Sequence, residues 1–193
     1  HHLCLMRFRQ AKNITLGGRR FRGNHMSLMN KYPRLTDLEA PAARRIPKFV
    51  FAYLDSGTGQ DQAKDHNRAY LDGIELTPQF MRGRVNPNLT TKLFGNSYNA
   101  PFGVAPIGLS SLIWPGAESI LGAAAKAHGF PYILSTVAGE SLEMVAKAAG
   151  EMAWFQLYAP KDRDVMTDLL RRAKDNGYET VVVTADVPAP SRR

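Results

Sequence analysis

PYILSTVAGESLEMVAKAAGEMAWFQLY, residues 131–158, decides the fold. It opens on a short apolar run, Pro131-Tyr-Ile-Leu-Ser135. An amphipathic stretch, Leu142 to Ala149, follows and stops at Gly150, and a second apolar run, Ala153-Trp-Phe-Gln-Leu157, comes after it. Runs of four or five apolar residues bounded by polar and glycine positions read as buried strands, and the Gly-terminated stretch between them reads as a helix. The whole is one strand–helix–strand unit.

The same rhythm continues on both sides. Upstream, Phe102-Gly-Val-Ala-Pro106 predicts a strand and Ala117 to His128 an Ala-rich helix, opened by Pro115 and closed by Gly129. Downstream, Val165 to Lys174 predicts a helix ended by Gly177, and Glu179-Thr-Val-Val-Val-Thr184 a further strand. Four strands therefore alternate with three helices, which means a parallel sheet covered by helices. No Gly-x-Gly-x-x-Gly follows the first strand, so a dinucleotide-binding open sheet lacks its phosphate turn and a (β/α)₈ barrel is favoured. A full barrel needs about 250 residues. The expectation is an α/β chain carrying the N-terminal half of a barrel, about four β/α units in 101–193. In that half-barrel the outer strands leave open edges, and the inner faces of Val181, Val182 and Val183 lack their partners.

Ahead of the sheet, residues 26–100 read as a helical segment and a hairpin. Leu38, Ala42, Ile46, Phe49, Val50 and Tyr53 recur at helical spacing, with Pro47 early in the run and Gly57 closing it, and Asp61 to Leu71 is a polar-faced helix. Leu89 to Phe94 and Ser97 to Asn99 pair across Gly95-Asn96. Residues 1–25 differ in kind. Of the 25 basic residues six lie here, with none of the 17 acidic ones, so the leader supplies +6 of the net +8. A transit peptide, a basic nucleic-acid or lipid-binding arm, and upstream sequence translated ahead of Met26 are the readings of this leader, the last being favoured.

The 44% hydrophobic content excludes a disordered chain, no run reaches the length of a membrane span, and a single cysteine excludes an internal disulfide or a Cys-based zinc module. In a barrel the chemistry gathers where strands end at their C-termini. Those positions hold Pro106, Ile107 and Gly108, Ser135 with Thr136, Gln156 with Tyr158, and Thr184 with Asp186. Taken singly, Ser135 reads as a helix cap, Gln156 as the partner of a buried carbonyl and Asp186 as a turn residue before Pro188. Taken together they are hydrogen-bonding groups without metal ligands, suited to an uncharged heteroaromatic edge such as a flavin pyrimidine ring.

Tyr53-Leu-Asp-Ser-Gly57, Pro101-Phe-Gly-Val-Ala-Pro-Ile-Gly108, Leu134-Ser-Thr136, Phe155-Gln-Leu-Tyr158 with Lys161-Asp-Arg163, and Val183-Thr-Ala-Asp186 ending at Arg193 resemble the FMN-dependent α-hydroxy acid dehydrogenase/oxidase family, which includes lactate and mandelate dehydrogenases and glycolate oxidase. The resemblance runs from about Tyr32 to Arg193. It implies FMN as cofactor, with Pro106, Ile107 and Gly108 against the flavin N5 edge and Ser135, Gln156 and Thr184 hydrogen-bonding the ring. It implies that Tyr53 and Tyr158 hold a small 2-hydroxy acid, that Asp186 orients the catalytic histidine, and that Arg193 is a mobile arginine near the substrate carboxylate. The family's base lies in a Ser-x-His-Gly-x-Arg run that none of the five histidines here belongs to, so the 193 residues alone are expected neither to retain FMN nor to oxidise a substrate.

Val137 stands where glycolate oxidase-like members carry tryptophan, implying a wider pocket. Gly108 and Ser111-Leu-Ile-Trp-Pro115 are closer to the mandelate and lactate dehydrogenases, implying a quinone or other carrier rather than oxygen as electron acceptor. No nucleic acid is expected as a partner, and a homo-oligomer is expected of the full-length protein. Localisation stays open between the cytoplasm and the inner face of a membrane. The competing readings are an oxygen-using oxidase, a flavin-barrel isomerase of a phosphorylated substrate, and a basic binding protein acting through residues 1–25.

Overall fold

The computed structural model describes residues 30–185 apart from 82, 84 and 85. Asp186, Arg193 and the leader lie outside the described residues. The chain divides between Arg45 and Ile46 into two compact units. In the first, a 3₁₀ turn at Leu35–Leu38 leads into α1 (Glu39–Arg45). Asp37 closes the turn's start by accepting from the Arg34 backbone N–H at 2.9 Å and from its guanidinium.

The second unit begins with α2 (Lys48–Asp55) and α3 (Gln62–Asp72). The run from Leu38 to Tyr53, read as one helical stretch, is broken at Pro47, whose extended ψ of 139 makes it the cap before α2. Proline has no N–H to give and crowds the preceding turn, so the helix restarts after it. Strands β1 (Thr91–Leu93) and β2 (Asn96–Tyr98) form the expected hairpin, with one correction: Leu93 pairs with Asn96, so the turn residues are Phe94 and Gly95, both at positive φ. That is the twist a two-residue hairpin favours.

The sheet follows, with helices between its strands. After α4 (Ser110–Ile113) and α5 (Ala117–His128) comes β3 (Tyr132–Ser135), then α6 (Leu142–Ala149), β4 (Ala153–Leu157), α7 (Arg163–Asp175) and β5 (Thr180–Val183). Gly129, at φ 71, supplies the left-handed residue that ends α5, while Ser141 and Asp162 cap α6 and α7 by accepting backbone N–H bonds. β3, β4 and β5 are parallel neighbours in chain order. The expected strand Phe102–Pro106 shrinks to a single parallel bridge at Val104, which donates to Pro131 O at 2.8 Å and accepts from Ile133 N at 3.1 Å. The next ladder bond would need an N–H from Pro106, which proline lacks.

Alternation along the strands sorts the two faces. Tyr132, Leu134, Ala153, Phe155 and Leu157 meet Ala125, Leu142, Val145, Ala149, Ala173 and Tyr178 in the buried core between sheet and helices. Ser135, Gln156 and Val182 are register partners on the other face. The three valines of β5 therefore do not share an inner face: Val181 and Val183 point to the helix side, where they are 40% and 59% exposed.

The hairpin ties to the starts of these strands. Trp154 Nε1 donates to Tyr98 Oη at 3.0 Å, Asn96 Nδ2 to Glu179 at 3.1 Å, and Asn99 bonds both His128 O and Gly129 O.

Candidate functional site

Three strand ends carry one continuous polar row. Gln156, only 2% exposed, is its centre. Its Oε1 accepts from Ser135 Oγ at 3.1 Å and from Thr136 N at 3.2 Å, and its Nε2 donates to Thr184 Oγ1 at 2.9 Å. Thr136 Oγ1 donates in turn to Gln156 O at 2.5 Å and accepts from Tyr158 N at 3.0 Å. Thr184 N extends the ladder to Leu157 O at 3.1 Å. Ser135 does not cap the next helix, a task that falls to Ser141, and the Gln156 amide serves its neighbours' hydroxyls and an amide N–H rather than a lone carbonyl. Every buried side-chain polar atom among the described residues has a partner, so the row is a finished network of neutral donors and acceptors.

The loop leaving Val104 packs on the loop that follows β3. Gly108 lies so close to the loop after β3 that an added Cβ would sit 2.9 Å from Val137 Cγ2 and 3.7 Å from Tyr53 Oη. Leu109 N donates to Val137 O at 3.0 Å, and Ser110 Oγ donates to Ile107 O at 2.9 Å. Tyr53, Gly108 and Val137 thus come together, as do Ser135, Gln156 and Thr184. Pro106 and Ile107 lie on the same loop and are exposed. Tyr158 joins the row through its backbone N–H and is 43% exposed. Asp186 and Arg193 fall outside the described residues.

The two described histidines stand elsewhere. His66 is on exposed α3, and His128 stacks on Phe130 before β3, at the end of that strand opposite Ser135. Among the described residues no group of three or more His, Cys, Asp or Glu could hold a metal ion, and no helix is long and apolar enough to cross a membrane.

One buried group was not foreseen. Glu118, in the first turn of α5, is wholly buried and accepts from Ser111 N at 3.1 Å, Gly139 N at 2.9 Å and Ser111 Oγ. Burial pushes its carboxyl up, but the bonds from Ser111 and Gly139 outweigh that and hold it below the usual carboxylate value. An acidic residue in a first helical turn has an ordinary reason to be there, attraction to the helix N-terminus, so its sequence position carries no sign of burial.

Comparison with known proteins adds the context. A model of the family described as FMN-dependent dehydrogenase matches residues 42–193. An L-lactate dehydrogenase of Pseudomonas putida is 39% identical over 158 residues, covering 82% of this chain and 42% of that protein. One of Ectopseudomonas mendocina is 40% identical with the same coverage. Among solved structures, a mandelate oxidase superposes with a TM-score of 0.75 at 35% identity, over 81% of this chain and 46% of that one. A mutant of (S)-mandelate dehydrogenase gives 0.76 at 30% identity, over 82% and 44%. The chain spans less than half the length of the curated relatives it matches.

Proposed function

The chain belongs to the FMN-dependent dehydrogenase family, and from that premise we propose that it supplies the first four strands of a (β/α)₈ barrel and one wall of a site that oxidises an L-2-hydroxy acid, lactate- or mandelate-like, to the 2-oxo acid. The observation that carries the reading is the buried row Ser135–Gln156–Thr184 at the strand ends, with Gly108 packed on the loop that leaves Ser135. A flavin ring edge needs neutral donors and acceptors in a plane and a backbone able to approach it closely. The buried amide and two hydroxyls provide the first, and the absence of a side chain at Gly108 the second. The residues fit FMN. Bound there, FMN would supply the acceptor for the two electrons that leave the substrate's α-carbon.

The chain's own residues have separable tasks. Ser135, Gln156 and Thr184 would hold the ring with the donor and acceptor capacity their mutual bonds leave over, in a row that is already ordered. Pro106, Ile107 and Gly108 would present backbone to its reacting edge. Tyr53, beside Gly108 and Val137, and Tyr158, after β4, place phenols for the substrate's carboxylate and hydroxyl. Asp186 orients the base and Arg193 grips the carboxylate with its fork of donors. The base itself is assigned to the histidine of the family's Ser-x-His-Gly-x-Arg run, which is not among these 193 residues.

Val137 rather than a large aromatic beside Gly108 makes the substrate side wider. The acceptor is a quinone or another carrier, with oxygen as the competing reading, and the assembled enzyme is a homo-oligomer in the cytoplasm or at the inner face of a membrane.

A chimera tests this: residues 42–193 replace the matching stretch of the Pseudomonas putida L-lactate dehydrogenase. The expected product is FMN-yellow and reduces an artificial dye with L-lactate or L-mandelate under anaerobic conditions, and Tyr53→Phe raises KM. A folded, yellow chimera that oxidises no 2-hydroxy acid refutes the assignment.

A further inference from the structure

Two loops meet where Gly108 packs against Val137, and the same carboxylate holds both. Ser111, in α4, belongs to the connection leaving Val104, and Gly139 to the one leaving β3. Glu118 Oε1 takes the backbone N–H of each, at 3.1 and 2.9 Å, while Oε2 takes the Ser111 hydroxyl. A fourth bond, Leu109 N to Val137 O at 3.0 Å, joins the same loops two residues earlier in each. The approach is close enough that a Cβ on Gly139 would lie 2.7 Å from Ser111 Cβ. A buried anion satisfied by neutral donors from two separate loops is costly to desolvate and offers no advantage over an apolar side chain as simple filling. What it adds is geometry, because three charge-assisted bonds converge on one group and fix the distance between their donors.

Resting on the flavin-site reading for the identity of the ligand, we propose that Glu118 is a positioning residue: its carboxylate sets the spacing between the loop carrying Ile107 and Gly108 and the loop carrying Thr136 and Val137, and so how Gly108 and Val137 are held beside Tyr53. Without the carboxylate, Ser111 N, Ser111 Oγ and Gly139 N lose their acceptor, and the loops part or admit water. Glu118→Leu fills the volume but satisfies none of the three donors. Glu118→Gln keeps Oε1 for the two backbone N–H groups, and the Ser111 hydroxyl can turn to accept from its Nε2.

Backbone amide exchange in the 193-residue chain separates positioning from general support. With Glu118→Leu, exchange at Leu109, Ser111 and Gly139 should rise by roughly tenfold to a hundredfold, as expected when bonds to a charged acceptor are lost locally, while Leu134 and Phe155 in the strands stay within about threefold. Glu118→Gln should return the loop amides to within about threefold of the parent. In the chimera above, Glu118→Leu should weaken FMN binding by roughly tenfold and shift the bound flavin's absorbance, with Glu118→Gln restoring both. A uniform rise across strands and loops, no local rise, or failure of Glu118→Gln to rescue overturns the proposal. So do loosened loops with FMN affinity and spectrum unchanged. A chimera that binds no FMN even with Glu118 in place refutes the flavin reading instead, and the exchange data then decide the loop-spacing role alone.

Discussion

Replacing Gln156 by leucine removes the centre of the polar row at nearly constant volume. Three donor or acceptor groups lose their partner: Thr136 N, Ser135 Oγ and Thr184 Oγ1. An unsatisfied buried group costs about 1–3 kcal/mol. The two hydroxyls can rotate toward other partners and recover part of that, whereas the Thr136 N–H is fixed by the backbone. The expected loss is therefore about 2–4 kcal/mol, a large share of the roughly 5–15 kcal/mol that holds a domain folded. With a urea slope of about 2 kcal/mol/M, the unfolding midpoint should fall by about 1–2 M. Trp154 on the same strand reports the transition by fluorescence, with Trp114→Phe used as background because the chain has two tryptophans. Combining Gln156→Leu with Thr184→Val should cost about 0.5–3 kcal/mol less than the sum of the two single changes, because they share one bond. A midpoint within about 0.25 M of the parent, or strict additivity, would refute the row as a cooperative network.

Tyr98→Phe should cost about 1 kcal/mol by leaving the Trp154 indole N–H without its acceptor, and should shift Trp154 emission to the red. Gly129→Ala should destabilise by at least about 1 kcal/mol in thermal melts, since the position has φ 71 and its Cβ would clash with Asn99 Nδ2. Glu143 is held by the Arg172 guanidinium, which bonds both its oxygens at 2.8 and 3.0 Å, and its carboxyl lies down at about 2 against an ordinary 4.5. A lowered value in the folded state means that the pair stabilises above the ordinary value and is lost as pH falls from about 4.5 toward about 2. Acid titration of the melting temperature should show that loss, and Glu143→Gln should flatten it; an unchanged slope would show that Arg172 and Glu143 contribute nothing in solution.

Much of the sheet was legible because each element carried its own punctuation. Ala117 to His128 and Leu142 to Ala149 are bounded as read from their apolar spacing and following glycines, and Ala153 to Leu157 is the strand its apolar run indicates. The break at Pro47 and the hairpin turn at Phe94-Gly95 were missed on local grounds, whereas two further misreadings depended on a partner elsewhere in the chain. The strand at Phe102–Pro106 had the right composition, but the ladder needed an N–H at Pro106. The valines of β5 formed an unbroken apolar run, which hides alternation, and only the register with Phe155 and Leu157 assigned Val181 and Val183 to the helix side. In the candidate site, Ser135, Gln156, Thr184 and Gly108 were recognisable as strand-end residues. Glu118 was not, because what makes it unusual is burial against Ser111 and Gly139, seven and 21 positions away in sequence.

The hairpin at residues 91–98 also bears on the order in which the fold can assemble. Tyr98 precedes Trp154 by 56 positions and Asn96 precedes Glu179 by 83, so a ribbon made early in synthesis waits for strands made much later. Closing spans of that length carries an entropic cost before any contact rewards it, which slows folding relative to the local strand–helix turns. Until Trp154 arrives, Tyr98, buried in the finished fold, is left open to solvent and to other chains. Shortening the hairpin would therefore be felt first in refolding yield, because it removes the surface on which the strand starts are gathered.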